Sequence, residues 1–171
     1  MKAKADGKNR RPFGLWPSPV TGAMLSEAVT IPEAEWSADG ARLVWLEEHS
    51  GQGILFQSDG SGSDARRLTG AESVRATIGY GGGQFGAGRS HAYFVEKSGR
   101  LYAIPLAAGP CRALTPPGTL CASPTPSPDG RWIVYVFELE GAGGLAILDA
   151  EEQRWPAKLA EGADFYMHPA W

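Results

Sequence analysis

The apolar residues of this chain arrive in short runs separated by Gly, Pro, Asp and Ser, a punctuation too frequent for helical repeats. Three runs, Leu43-Val-Trp-Leu46, Ala92-Tyr-Phe-Val95 and Trp132-Ile-Val-Tyr-Val-Phe137, each follow an Asp-Gly or equivalent turn. A second run follows each after a polar or Gly-bearing turn: Ile54-Leu-Phe56, Leu101-Tyr-Ala-Ile104 and Leu145-Ala-Ile-Leu148. Runs of this length, rich in β-branched and aromatic residues, predict strands. They are apolar on both faces, as strands are when their sheet is sandwiched between neighbours.

The runs belong to a repeat. Trp36-Ser-Ala-Asp-Gly40-Ala-Arg-Leu-Val-Trp45 and Pro126-Ser-Pro-Asp-Gly130-Arg-Trp-Ile-Val-Tyr135 start 90 residues apart, with a degraded copy, Gly88-Arg-Ser-His-Ala-Tyr-Phe94, between them. Leu68-Thr69, Leu114-Thr115 and Leu159-Ala160 close the units at intervals of 46 and 45 residues. Trp171 falls 45 residues after Pro126, where a further copy would begin, so the chain reads as part of something larger. A unit of about 45 residues with several short strands fits one four-stranded propeller blade. The predicted fold is all-β: a partial β-propeller of about three four-stranded antiparallel blades over 33–70, 80–116 and 122–160, with the start of a fourth at 165–171. This domain, 33–171, is preceded by a tail and an extended arm over 1–32, in which Thr21 can cap a short helix through Met24 to Glu27.

Composition narrows the function. At 171 residues, 43% hydrophobic and 10% aromatic, the chain can bury a core. A net charge of −3 without a basic stripe argues against nucleic acid, and the basic run Lys2 to Arg11 reads as a solvated tail. No apolar stretch approaches the roughly 20 residues of a membrane span, and no signal-peptide apolar region opens the chain, so the expected location is cytoplasmic. Cys111 and Cys121 lack Cys-x-x-Cys spacing and are expected as two free thiols.

Four segments carry a resemblance: Phe13-Gly-Leu-Trp-Pro-Ser-Pro-Val-Thr21, Val74-Arg-Ala-Thr-Ile-Gly-Tyr-Gly-Gly-Gly83, the Ser-Pro-Asp-Gly repeats, and Gly162-Ala-Asp-Phe-Tyr-Met-His-Pro-Ala-Trp171. In order and over nearly the whole chain, they resemble the N-terminal propeller of the prolyl oligopeptidase family, in its dipeptidyl aminopeptidase and acylaminoacyl peptidase branch. The Ser-Pro-Asp-Gly turns are also shared by propellers of the Tol type. The resemblance implies a propeller that caps an α/β-hydrolase domain and restricts entry to short peptides. The hydrolase domain and the remaining blades would then be partners outside this sequence. Some relatives carry His-Glu before Tyr-Gly-Gly-Gly; this chain has only Gly79 there, so no carboxylate role transfers.

Within the sequence, catalytic motifs are missing. The nearest approach to a Gly-x-Ser-x-Gly elbow, Gly88-Arg-Ser-His-Ala92, lacks its second Gly. Ser90 and His91, placed on a strand, would point to opposite faces. Gly81-Gly-Gly-Gln-Phe-Gly86 has the letters of a dinucleotide fingerprint but no helix after it. Asp59-Gly-Ser-Gly-Ser-Asp64 lacks the Gly and Glu of a calcium loop. His49, His91 and His168 are too scattered for ligand spacing, so no metal and no cofactor are expected. Two residues of the Gly-rich inter-blade segment, Arg75 and Tyr80, are candidates for substrate access at the propeller mouth; the plainer alternatives are a surface ion pair for Arg75 and packing under the loop for Tyr80. Trp16, an aromatic on the extended arm, is a candidate for docking on a neighbouring domain, the alternative being that it covers the bottom of the first blade. Two functions follow: the non-catalytic, substrate-gating propeller of a serine peptidase acting on short peptides, or a stand-alone Tol-like propeller serving as a protein-interaction module. In either case the open faces of the outer blades favour self-association.

Overall fold

The computed structural model describes residues 12, 14, 18–61, 64–76, 78, 82–151 and 155–171. Among these residues a single short helix, α1 (Gly22–Ser26), opens on Thr21, whose side chain accepts from the Met24 N–H as expected of an N-cap. Twelve strands follow among the described residues, in three antiparallel four-stranded meanders. The first blade is β1 (Val29–Trp36), β2 (Leu43–His49), β3 (Gln52–Ser58) and β4 (Arg66–Arg67). The second is β5 (Phe85–Ala87), β6 (His91–Val95), β7 (Leu101–Pro105) and β8 (Arg112–Ala113). The third is β9 (Leu120–Pro126), β10 (Trp132–Leu139), β11 (Ala142–Asp149) and β12 (Ala157–Glu161). The sheets do not close into a ring, so the fold is the partial propeller that the repeat predicts.

The Ser-x-Asp-Gly element is one turn built twice. Ser37 Oγ donates to Asp39 Oδ1 at 2.6 Å, the same carboxylate accepts the Ala41 N–H at 3.1 Å, and Ser37 Oγ accepts the Arg42 N–H at 3.0 Å. Ser127, Asp129, Arg131 and Trp132 repeat the set at 2.5, 3.0 and 2.9 Å. Gly40 and Gly130 take φ of +69° and +77°, the left-handed conformation that glycine adopts without a Cβ penalty. The Leu-Thr pairs are also structural: Thr69 Oγ1 accepts the Leu55 N–H at 3.1 Å and Thr115 Oγ1 the Leu101 N–H at 3.0 Å.

Packing joins blade to blade. On the second sheet Phe85, Ala92, Phe94 and Ile104 face the first blade and meet Val44, Leu46 and Leu55. Alternate residues Tyr93, Val95, Leu101 and Ala103 face the third and meet Ile133, Tyr135, Phe137 and Leu148. Both faces of the middle blade are therefore core, the reason its strands show no polar alternation. An arginine on the outermost strand of each of the first two blades reinforces the joint: Arg66 donates to the Leu106 and Ala107 carbonyls, and Arg112 donates to Ala150 O at 2.8 Å. Cys121 is buried in the second interface, where desolvation pushes its thiol up to about 12. Cys111 donates to Glu72 Oε1 at 2.9 Å and is pushed up to about 11, chiefly by burial; both thiols are free.

The two inner seams differ. Where β5 meets β9, a Cβ placed on Gly86 would lie 2.1 Å from Pro124 O, so only glycine permits this approach. Where β1 faces β5, two carboxylates span the gap instead. Gln84 N donates to both oxygens of Glu33, at 3.1 and 2.9 Å, and Ala87 N donates to Glu35 Oε2 at 2.9 Å. These bonds occupy amides on the free edge of β5, which would otherwise be open to pairing with another chain.

Candidate functional site

The segment that leads from the first blade to the second places Arg75. Ser73 Oγ accepts the Gly53 N–H at 3.2 Å, Val74 N donates to Gly53 O at 3.0 Å, and Arg75 N donates to Val95 O at 2.8 Å. Val74 is buried and pairs with Glu96 in an isolated antiparallel bridge, so the backbone here is wedged between the β2–β3 hairpin and the end of β6. A Cβ at Gly53 would lie 2.1 Å from Val74 O, so the wedge depends on that glycine. The Arg75 side chain leaves this anchored backbone for solvent, on the wall of a cleft of about 410 Å³ shared with Glu48, Gly82 and Gln84. Its guanidinium makes no hydrogen bond or ion pair with any described residue. An unengaged guanidinium offers a forked pair of donors suited to a carboxylate.

Gly82 and Gly83, the described end of the glycine run, lie against the bulge of β9. Ser123 has φ of +48° there; its N–H donates to Gly83 O at 2.7 Å and its Oγ accepts the Gly83 N–H at 2.9 Å. Any Cβ on Gly82 would come within 2.9 Å of Ala122 Cβ and Ser123 Oγ. The run is thus a blade connector, and no helix follows it to make a dinucleotide site. Tyr80, Gly79 and Trp16 lie outside the described residues.

The geometry corrects one expectation. Ser90 sits on the turn before β6 rather than on the strand, so its Oγ reaches His91 Nδ1 at 2.9 Å. The pair is exposed at Ser90, and His91 is held below its usual pKa by desolvation and then by the Arg112 charge. No carboxylate bonds the ring of His91 among the described residues, so the third member of a nucleophilic triad is not assembled. His49 bonds Glu47 Oε2 at 2.8 Å, far along the chain from the other two histidines, and no group of metal-ligating residues occurs among the described residues.

Glu33 and Glu35 escaped the sequence reading. Their two-residue spacing puts them on one face of β1, and acids on the face of an apolar blade were the available signal. Desolvation against β5 raises the pKa of Glu35, opposed by the Ala87 N–H and reinforced by the neighbouring Glu33 carboxylate.

Blades, turns and seams together define a partial β-propeller, not a catalytic hydrolase fold. Among solved structures the chain is similar to TolB from Acinetobacter baumannii (TM-score 0.58, 23% identity, 75% of this chain and 32% of that one). It is similar at the same TM-score, 0.58, to a TolB-like protein from Agrobacterium tumefaciens (15% identity, 75% of this chain, 50% of that one). A prolyl endopeptidase also aligns, at TM-score 0.52 and 13% identity, over 77% of this chain and 21% of that one. The chain therefore spans half or less of each of these proteins, and the likeness is one of fold. No family model and no curated protein matches the sequence. No helix among the described residues is long and apolar enough to cross a membrane.

Proposed function

We propose that this chain is the non-catalytic propeller portion of a cytoplasmic serine peptidase of the prolyl oligopeptidase type, forming part of a rigid gate that admits short peptides. The observation that carries this reading is Arg75, which follows an anchored Ser73–Val74 backbone within a sequence resembling that family's and stands, unpartnered among the described residues, on the wall of a cleft. There the guanidinium would meet the C-terminal carboxylate of an entering peptide, a mode of capture that favours free peptides over chain interiors. The test is the reading frame beyond Trp171. It is expected to encode a Gly-x-Ser-x-Gly elbow followed by Asp and His, and the complete protein to react with a fluorophosphonate while residues 1–171 alone stay unlabelled. Stoichiometric labelling of residues 1–171, or a frame without a hydrolase domain, defeats the proposal. The second reading, a Tol-like interaction module, has in its favour the 23% identity to TolB against 13% to the prolyl endopeptidase. It predicts further blades and no elbow.

A further inference from the structure

The outer rim of the joint between the second and third blades carries a groove that neither reading uses. Pro116, from the β8–β9 link, stands on one side of it, and Trp155 and Pro156, just before β12, stand on the other. These three residues are common to two adjoining clefts, one of about 300 Å³ and one of about 400 Å³. Trp155 is 82% exposed, the largest exposure among the described bulky apolar residues. Proline walls hold fixed backbone angles, so the groove needs little ordering before a ligand enters.

Its ends differ chemically. In the first cleft Arg100 spends only Nε, on Thr115 O at 2.8 Å, and lies 5.6 Å over the Tyr102 ring. Arg112 spends Nη2 on Ala150 O. The other donors of both guanidinium groups have no partner among the described residues. Asp149, the one acid among the described residues lining that cleft, is engaged: Arg131 Nε approaches it at 3.4 Å and the Glu151 N–H donates to it at 3.0 Å. The second cleft is floored by Tyr135, Phe137 and Leu139, with Lys158 Nζ 5.7 Å over the Phe137 ring and bonded to Glu161. A chain of net charge −3 thus sets two guanidinium groups, each with donors still unpartnered among the described residues, beside an aromatic trough.

We propose that this groove docks a linear segment of a partner protein in which an acidic residue stands next to a bulky apolar one. The carboxylate would take the Arg100 and Arg112 donors, the apolar side chain would fill the trough, and Trp155 would close over both. Charge-assisted, forked hydrogen bonds set the register, and the aromatic anchor supplies the affinity.

The probes are two fluorescein-labelled peptides, Gly-Glu-Phe-Leu-Gly and its Gln-Phe counterpart, titrated with the 171-residue chain and followed by anisotropy. The Glu peptide is expected to bind about tenfold more tightly, with the advantage shrinking in high salt. Arg100→Gln should erase the difference between the two peptides, while Trp155→Ala should weaken both about tenfold. Trp155 is exposed, so its substitution leaves the fold intact; circular dichroism checks both variants, and Arg100→Lys, which retains charge without the fork, should recover part of the preference. Equal binding of the two peptides, no binding of either, or indifference of a folded Trp155→Ala variant overturns the proposal. None of these outcomes depends on whether a peptidase domain exists.

Discussion

Replacing Gly86 by alanine tests whether the blades are held by a close approach of backbones rather than by side-chain contact alone. The added Cβ would lie 2.1 Å from Pro124 O, 2.9 Å from Pro126 Cδ and 3.2 Å from the Pro124 carbonyl carbon. Ordinary C···O contacts begin near about 3.3 Å, so more than about 1 Å must be found. Neither strand yields locally: β9 is pinned by Pro126 opposite Ile133 and Thr125 opposite Val134, and β5 by Phe85 opposite Phe94 and Ala87 opposite Ala92. The blades must therefore separate, and a gap of about 0.5–1 Å forfeits a quarter to a half of the dispersion attraction between atoms facing across it. Overpacking of this kind costs about 1–3 kcal/mol, against which alanine gains about 0.4–1 kcal/mol by restricting the unfolded chain. With backbone as the obstacle, the upper part of the range applies, and a net loss of about 2 kcal/mol is expected. Urea melts of Gly86→Ala and of Gly83→Ala make the comparison, since a Cβ at Gly83 meets nothing nearer than Ser123 Cα at 3.6 Å. The control should stay within about 0.5 kcal/mol of the wild type. Equal effects of the two substitutions, or a loss below about 0.5 kcal/mol at Gly86 with an unchanged m-value, would refute the reasoning.

Three further outcomes are expected. Gly130→Val should cost about 1–2 kcal/mol through backbone strain alone, because φ is +77° and a Cβ there meets nothing within 4 Å; a denaturant melt showing a few tenths would show that the turn relaxes freely. Glu35→Gln should raise the urea midpoint at neutral pH, because the folded pKa of Glu35 is raised above its unfolded value: the wild-type stability it contributes is present at low pH and lost as pH rises through the folded pKa. The gain should shrink on acidification, and a gain that grows instead contradicts the sign. The outer face of the first blade, with Trp36 55% exposed and the Trp45–Phe56 stack at 5.8 Å, should drive association of the isolated chain at micromolar concentration. A sedimenting monomer that binds no hydrophobic dye would defeat that expectation.

The architecture was legible because each blade writes the same local chemistry. Asp129 and Gly130 specify the turn, Thr115 the hydrogen bond that closes the blade, and the two-faced apolar runs the burial between neighbours. The seams were not legible in the same way, because they depend on pairs remote in sequence. Nothing near Gly86 announces Pro124, and nothing near Glu33 and Glu35 announces the free amides of Gln84 and Ala87. Ser90 was misplaced for a smaller reason: the degraded turn of the second blade ends one residue later than a strand reading assumes, and a side chain on a turn is not bound by strand alternation. Arg75 could be singled out as a charge in a glycine-rich connector, but the anchoring of its backbone between the β2–β3 hairpin and the end of β6 joins residues remote in sequence.

The repeat also shows where the blades stop being equivalent. Arg66 and Arg112 stand two residues before the Leu of each Leu-Thr pair and reach the next blade's carbonyls; at the corresponding place in the third blade stands Ala157, and the pair itself is Leu159-Ala160. The third blade thus loses both the arginine that latches forward and the threonine that closes its own outer strand. Covering its forward face falls to other groups: Tyr166 packs beside Ile78, Ala122 and Val136, while Thr125 donates to Pro169 O at 3.0 Å and accepts from Trp171 Nε1 at 2.9 Å. The segment before Trp171 therefore lies along β9 much as β5 approaches its neighbour, with side-chain hydrogen bonds where the inner seam relies on a missing Cβ.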